Sequence, residues 1–176
     1  MPEERIRVVP FDMKYLDDYF RGFNAEITKY QWPEPFLHVK DAEALLLEFL
    51  GEMQAGETRF YAVLSKEGTF FGSVEVHGLS EDRPELGVWI IESEQGKGYA
   101  YDALNIVLND VCSNYHKTEF YYEADIRNIG SMKLLQKFGD KYEIIKQKLE
   151  EVVTGSGKEL MLQGYVLRRK REAPVY

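Results

Sequence analysis

Cysteine is almost missing from this chain: among 176 residues, Cys112 is the only one. A single thiol excludes an internal disulfide framework and any cysteine-rich metal cluster, and it fits a reducing, cytoplasmic setting. Histidine is nearly as scarce. His38, His77 and His116 lie on separate segments without ligand spacing, so no metal site is expected. No stretch approaches the roughly 20 consecutive apolar residues that cross a bilayer. Met1-Pro2-Glu3-Glu4-Arg5 has neither the basic start nor the apolar run of a secretory signal. Positive charge is in short supply as well: 30 Asp and Glu against 22 Lys and Arg leave a net charge of −8. A general nucleic-acid binder needs a basic face to neutralise phosphates, whereas a cationic substrate suits this balance. Neither nucleic acid nor membrane is an expected partner.

What is present reads as one domain over residues 1–176, with the 44% hydrophobic content of a folded protein. A short strand is expected over 5–9, then a helix capped by Asp12 with Tyr15, Leu16, Tyr19, Phe20 and Phe23 on one face. Pro33 and Pro35 keep residues 30–36 out of regular helix. A second helix is expected to start at Asp41, where Ala42, Leu45, Leu46, Phe49, Leu50 and Met53 form a stripe ended by Gly56. Strands over 60–64, 70–76 and 85–91 follow, the first two a hairpin around Lys66-Glu67-Gly68. A helix after residue 99, a strand over 119–124 and a short helix over 131–138 come next. A long hairpin over 142–153 and 158–167 completes the order, and Arg168-Arg169-Lys170-Arg171 is expected to leave the fold into solvent. Strand, helix and strand around residue 100 imply a parallel pair joined by a right-handed crossover. The expected architecture is thus α+β, with a central mixed sheet.

Gln95-Gly96-Lys97-Gly98-Tyr99-Ala100, between a strand and a helix, carries the strongest chemical signal. A helix start presents amides without internal partners and a partial positive charge, and small residues let a pyrophosphate approach them closely. A P-loop is excluded because Lys97 is followed by Gly98 and Tyr99. A dinucleotide fingerprint is excluded because Tyr101 replaces its third glycine. A turn that only links strand to helix is the competing reading.

Gln95-x-x-Gly98-x-Ala100 resembles the Gln/Arg-x-x-Gly-x-Gly/Ala motif of the GNAT superfamily of N-acetyltransferases. Glu85 to Ile91 before it, and Asn128-Ile129-Gly130-Ser131, Leu134-Leu135 and Lys137-Phe138-Gly139 after it, resemble the ribosomal-protein N-terminal (RimJ/RimL-like) branch. Residues 27–33 are loosely similar to that branch's entry loop. The resemblance implies a mostly antiparallel sheet of about seven strands, four flanking helices and a splayed parallel pair that forms an acyl-CoA cleft. It implies acetyl-CoA as cosubstrate: pyrophosphate on Gln95, Gly96, Lys97, Gly98, Tyr99 and Ala100, and pantetheine along Trp89, Ile90 and Ile91 and on Asn128. The implied acceptor is a primary amine, on a small molecule or a peptide, with Tyr30 and Trp32 beside it, and relatives make a homodimer an open option.

An amine with pKa near 10 must lose a proton before attacking a thioester. Glu85 is the expected base, with Glu75 in reserve. Glu85 also reads as a solvated carboxylate at a strand end. Where many relatives have a proton-donating tyrosine this chain has Leu135, and Ser131 takes the place of donor to the leaving sulfur. Asn128 and Ser131 also read as helix caps. A protein that binds acyl-CoA without turning it over is the alternative function. Cys112 reads as a packed thiol.

Overall fold

The computed structural model describes residues 4–31 and 33–172. Seven strands, β1 (Ile6–Pro10), β2 (Thr58–Ser65), β3 (Phe70–His77), β4 (Glu85–Ile90), β5 (Glu119–Asp125), β6 (Tyr142–Val153) and β7 (Glu159–Arg169), form one sheet in the order β1-β2-β3-β4-β5-β7-β6. Every neighbouring pair is antiparallel except β4 and β5. Helices α1 (Leu16–Gly22) and α2 (Val39–Gln54) cover one face, and α3 (Tyr99–Tyr115) and α4 (Ile129–Lys137) the other. This is the mixed, mostly antiparallel arrangement that the resemblance implies.

Each face has its own core, because strand side chains alternate between faces. Under α3, Ala103, Leu104, Val107, Leu108 and Val111 pack on Val74, Val76, Leu86, Ile90, Phe120 and Tyr122. Under α1 and α2, Tyr19, Phe23 and Leu46 pack on Phe60, Ala62, Phe70 and Trp89. Tyr19 meets Trp89 edge-on at 5.1 Å, and Phe11 stacks on Phe60 at 4.3 Å. Each fully buried Leu or Phe contributes roughly 1.5–3 kcal/mol. Truncating Leu108 to Ala is a change of about 2–5 kcal/mol.

Three local expectations are corrected. Asp41 does not cap α2: the cap is His38, and Asp41 stands in the first turn, where its charge complements the helix dipole. Asp12 caps a 3₁₀ turn (Met13–Tyr15) ahead of α1, accepting from the Lys14 amide at 2.8 Å. Arg168 and Arg169 belong to β7 rather than to a free tail. Arg168 pairs with Glu119 at 2.8 Å and with Glu143 at 3.6 Å, so its charge is matched on the sheet. Among the described residues no helix is long and apolar enough to cross a membrane.

Candidate active site

β4 and β5 begin together and then part. The Tyr121 amide donates to Pro84 O at 2.9 Å, and Glu85 with Tyr121 is the one registered pair between them among the described residues. Beyond it β4 stays with β3 from Leu86 to Ile90, while β5 stays with β7 from Tyr122 to Asp125. The V between them opens into a cavity of about 430 Å³, lined among others by Leu86, Gly87, Val88, Trp89, Tyr122, Glu123 and Ala124. That size falls within the usual range of small-molecule sites.

Strand parity decides which backbone groups face the gap. The Ile91 amide donates to Phe71 O at 2.7 Å, and Ile91 O accepts from the Glu94 amide at 3.0 Å. Ile91 therefore has neither group to offer a ligand, and by the period of two the backbone of Trp89 also turns toward β3. Leu86, Val88 and Ile90 turn theirs toward the gap, as Pro84 does. Of Trp89, Ile90 and Ile91, only Ile90 fits the role implied by resemblance through its backbone; Trp89 lines the cavity with its side chain. Gln95 closes the end of the strand, its Nε2 donating to Ile90 O at 3.0 Å.

The loop after β4 turns on two left-handed residues, Gly96 (φ 78°) and Gly98 (φ 84°). Only glycine adopts that conformation without strain. Gly98 is the N-cap of α3, and the Asp102 amide is the first to close back onto it, at 3.1 Å. The amides of Tyr99, Ala100 and Tyr101 thus form the open first turn. Arg5 straddles this turn, donating to Lys97 O (2.8 Å) and Asp102 (2.6 Å) and lying over the Tyr99 ring at 5.1 Å. Tyr99 itself stacks on Phe71, and Lys97 pairs with Glu94.

A rigid corner joins β5 to α4. The buried Asp125 accepts from Arg127 Nε (2.8 Å), Arg127 Nη2 (2.8 Å) and the Met161 amide (2.8 Å). The Arg127 hydrogen bonds pull its carboxyl down to about 2. Asn128 follows as the cap of α4, its Oδ1 accepting from the Ser131 amide at 3.1 Å. Ser131, inside the first turn, is no cap. Its side chain lines the cavity beside the phenol of Tyr122, which burial pushes up. Leu135 is buried in the core. Cys112 is buried near the Tyr142 hydroxyl, remote from the cleft lining.

Both carboxylates singled out by the sequence line the cavity, in different settings. Glu85 is exposed at the closed end of the V; partial burial first, then Glu123 and Glu81, raise it. Glu75 stands opposite Gly87, and a Cβ on Gly87 would fall 2.9 Å from its Cγ and Oε1. Burial, and secondarily Glu85, push Glu75 up to about 7, and its Oε2 has no hydrogen-bond partner among the described residues. The Tyr19 phenol lies against Trp89 and Ser73 nearby, raised by burial and then by Glu75. Tyr30 lines the mouth with Arg127 over its ring at 4.8 Å, while Trp32 lies outside the described residues.

Sequence reasoning missed Tyr19, Ser73, Tyr122 and Glu123 as cavity neighbours. The alternation along β5, with Glu119, Tyr121, Glu123 and Asp125 on one face, was the signal available for Glu123. A wider depression of about 710 Å³ over Asp18, Arg21, Ile91 and Ser93 is open and holds none of the buried unpartnered polar atoms.

Residues 5–141 match the family described as acetyltransferase (GNAT) domain. No curated protein matches the sequence. Among solved structures, the chain is similar to RimL, a ribosomal L7/L12 alpha-N-protein acetyltransferase in complex with coenzyme A. The TM-score is 0.80 at 12% identity, covering 95% of this chain and 96% of that one. It is similar to spermidine N-acetyltransferase from Vibrio cholerae in complex with CoA and spermine (TM-score 0.78, 17% identity, 94% and 97% covered). It is also similar to ribosomal-protein-S5-alanine acetyltransferase from Vibrio fischeri (TM-score 0.78, 15% identity, 99% and 98% covered).

Proposed function

Because this chain belongs to the GNAT acetyltransferase family, we propose that it acts as one catalytic domain that moves an acetyl group from acetyl-CoA to a primary amine. The amine attacks directly, within a ternary complex. The observation that carries this reading is the parting of β4 from β5 beside the open first turn of α3. The turn suits a pyrophosphate, which amides and helix dipole both favour. The backbone of Leu86, Val88 and Ile90 suits an extended pantetheine arm, which adds to β4 as a strand would. The side-chain NH₂ of Asn128 is left for a carbonyl of that arm, since its Oδ1 is engaged with Ser131.

Glu75 is the better placed base. It sits opposite Gly87, midway along the gap, and its pKa near 7 leaves it about half ionised at neutral pH, where a base is most effective. Its carboxylate takes a proton from the acceptor ammonium. The freed nitrogen forms the C–N bond at the thioester carbon and loses its second proton as the tetrahedral adduct collapses. The C–S bond breaks, and the departing sulfur takes the proton of the Ser131 hydroxyl as that hydroxyl takes the nitrogen's second proton, so Ser131 ends neutral; the buried Tyr122 phenol beside it stays protonated. Amide, free thiol and one net proton are the products. Glu85 is better suited to hold cationic charge at the closed end of the V.

The test is a thermal-shift and thiol-release assay with acetyl-CoA and a broad amine panel. Acetyl-CoA is expected to raise Tm and to release thiol with at least one amine. Gly98→Val, strained at φ 84° and crowding Arg5 at 3.0 Å, is expected to lose both responses. No shift and no thiol with any amine ends the proposal. A shift without thiol favours the binding-only alternative, which the buried Leu135 keeps in view.

A further inference from the structure

The acceptor half of the cleft is charged on one side only. Among the described residues its lining contains three carboxylates, Glu75 on β3, Glu85 on β4 and Glu123 on β5, and no lysine or arginine. The one other titratable base in it, His77, has its pKa lowered by burial against the pull of Glu52, which favours the neutral ring. Glu75 faces Gly87, two residues from Glu85 on the same side of β4. That makes Glu75 and Glu85 diagonal neighbours about 7–8 Å apart. Glu123 lies two residues beyond Tyr121, the partner of Glu85. Its Oε2 is aimed by the Tyr121 hydroxyl, which donates to it at 2.8 Å.

A cluster of acids can be no more than a solvated face. Here a separate observation argues otherwise. Glu75 Oε2 and Ser73 Oγ, two residues apart on the same side of β3, are buried with no hydrogen-bond partner among the described residues. Buried polar atoms are almost always paired, and both of these oxygens can accept, so they mark a place where a ligand's ammonium completes the hydrogen bonding. After burial, Glu85 raises Glu75 and Glu123 raises Glu85, repulsions that a cation between them relieves.

We infer that the acceptor of this transferase carries two positive centres a few methylenes apart. The ammonium to be acetylated sits at Glu75, and the second cation is held between Glu85 and Glu123. Leu160 and Leu162 supply apolar wall for the methylenes between. The inference rests on the transferase reading. A free diamine and a peptide whose N-terminal residue precedes a lysine share this chemistry.

The experiment pairs acceptors that differ only in the second charge: 1,4-diaminobutane against butylamine, and an Ala-Lys peptide against an Ala-Gln peptide. Thiol release is followed with acetyl-CoA saturating. The doubly charged member of at least one pair is expected to show kcat/KM about tenfold or more above its partner, since a hydrogen bond to a charged group is worth that much. Which pair shows it identifies the source. In Glu123→Gln the preference is expected to shrink about tenfold. Equal rates within both pairs, or a preference untouched by Glu123→Gln, overturn the inference while leaving the transferase reading intact. If no amine is turned over, calorimetry of 1,4-diaminobutane with the CoA-loaded protein decides. Binding weakened by Glu123→Gln upholds the dication site although the transferase reading fails, and no binding ends both.

Discussion

Glu75 keeps its carboxyl inside the fold because the residue opposite has no side chain. Alanine at 87 would press on Glu75 Cγ and Oε1 at 2.9 Å. The carboxyl is held away from water, with a folded pKa near 7 against an ordinary 4.5. A raised acid stabilises the fold in its protonated form. That contribution is whole below about pH 4.5 and is lost as the pH climbs through about 7, a change on the order of 3 kcal/mol. The wild-type Tm is therefore expected to fall between pH 5 and pH 8, and Glu75→Gln to flatten that slope in a calorimetric series. The same substitution is expected to lower kcat by about 10²- to 10⁴-fold, and the wild-type acidic limb of kcat/KM to fall near pH 7. Glu85→Gln acting that strongly, with Glu75→Gln near wild type, would return the role of base to Glu85. Gly87→Ala is expected to reduce turnover too, by displacing the carboxyl rather than removing it.

Helices, strands and the phosphate-suited loop could be read from the chain because their causes are local. The stripe from Ala42 to Met53 and the run Gln95 to Ala100 carry their own periodicity and glycines. The starting point of α2 could not be placed, since His38 caps it without any side-chain bond and leaves no mark in the sequence. Nor could periodicity give the V: the registers of β4 on β3 and of β5 on β7 join segments distant in the chain, and no local pattern tells that the two halves share a single registered pair. The depth of Glu75 depends on the same long-range packing. So does the clasp over the cleft mouth. Lys158, at the tip of the β6–β7 hairpin, donates to Thr28 O (2.8 Å) and Gln31 O (2.6 Å) and pairs with Glu34 (3.1 Å). Ser156 adds a hydrogen bond to Glu34 at 2.8 Å. Lys158→Met removes three bonds that tie the segment carrying Tyr30 to the sheet. It is expected to speed amide exchange in residues 24–31 and to raise the acceptor KM several-fold, with the acetyl-CoA KM little changed. Unaltered exchange there would show that the segment is held by its aromatic packing instead.

Across the whole molecule, charge is divided between two ends of one cleft. The chain carries −8 overall, and the carboxylates of Glu75, Glu85 and Glu123 gather on the side of α1 and α2. Arg5 and the first turn of α3 lie at the other end, where an anionic cofactor belongs in the proposed function. A field of one sign raises the encounter rate of opposite charges and lowers that of like charges, and both effects fade as the Debye length shrinks to about 8–10 Å near physiological salt. The net charge therefore assists a cationic acceptor and opposes acetyl-CoA, which depends on the local amides and dipole to overcome it. Raising NaCl from about 20 mM to about 300 mM is expected to increase the acceptor KM several-fold. The acetyl-CoA KM is expected to stay level or fall slightly, because screening removes a long-range repulsion together with a short-range attraction. Steady-state kinetics with each substrate varied in turn measures both. A parallel rise in the two constants would mean that the cofactor end is held mainly by exposed cations such as Lys97, and a level acceptor KM would mean that the acidic wall does not meet the acceptor.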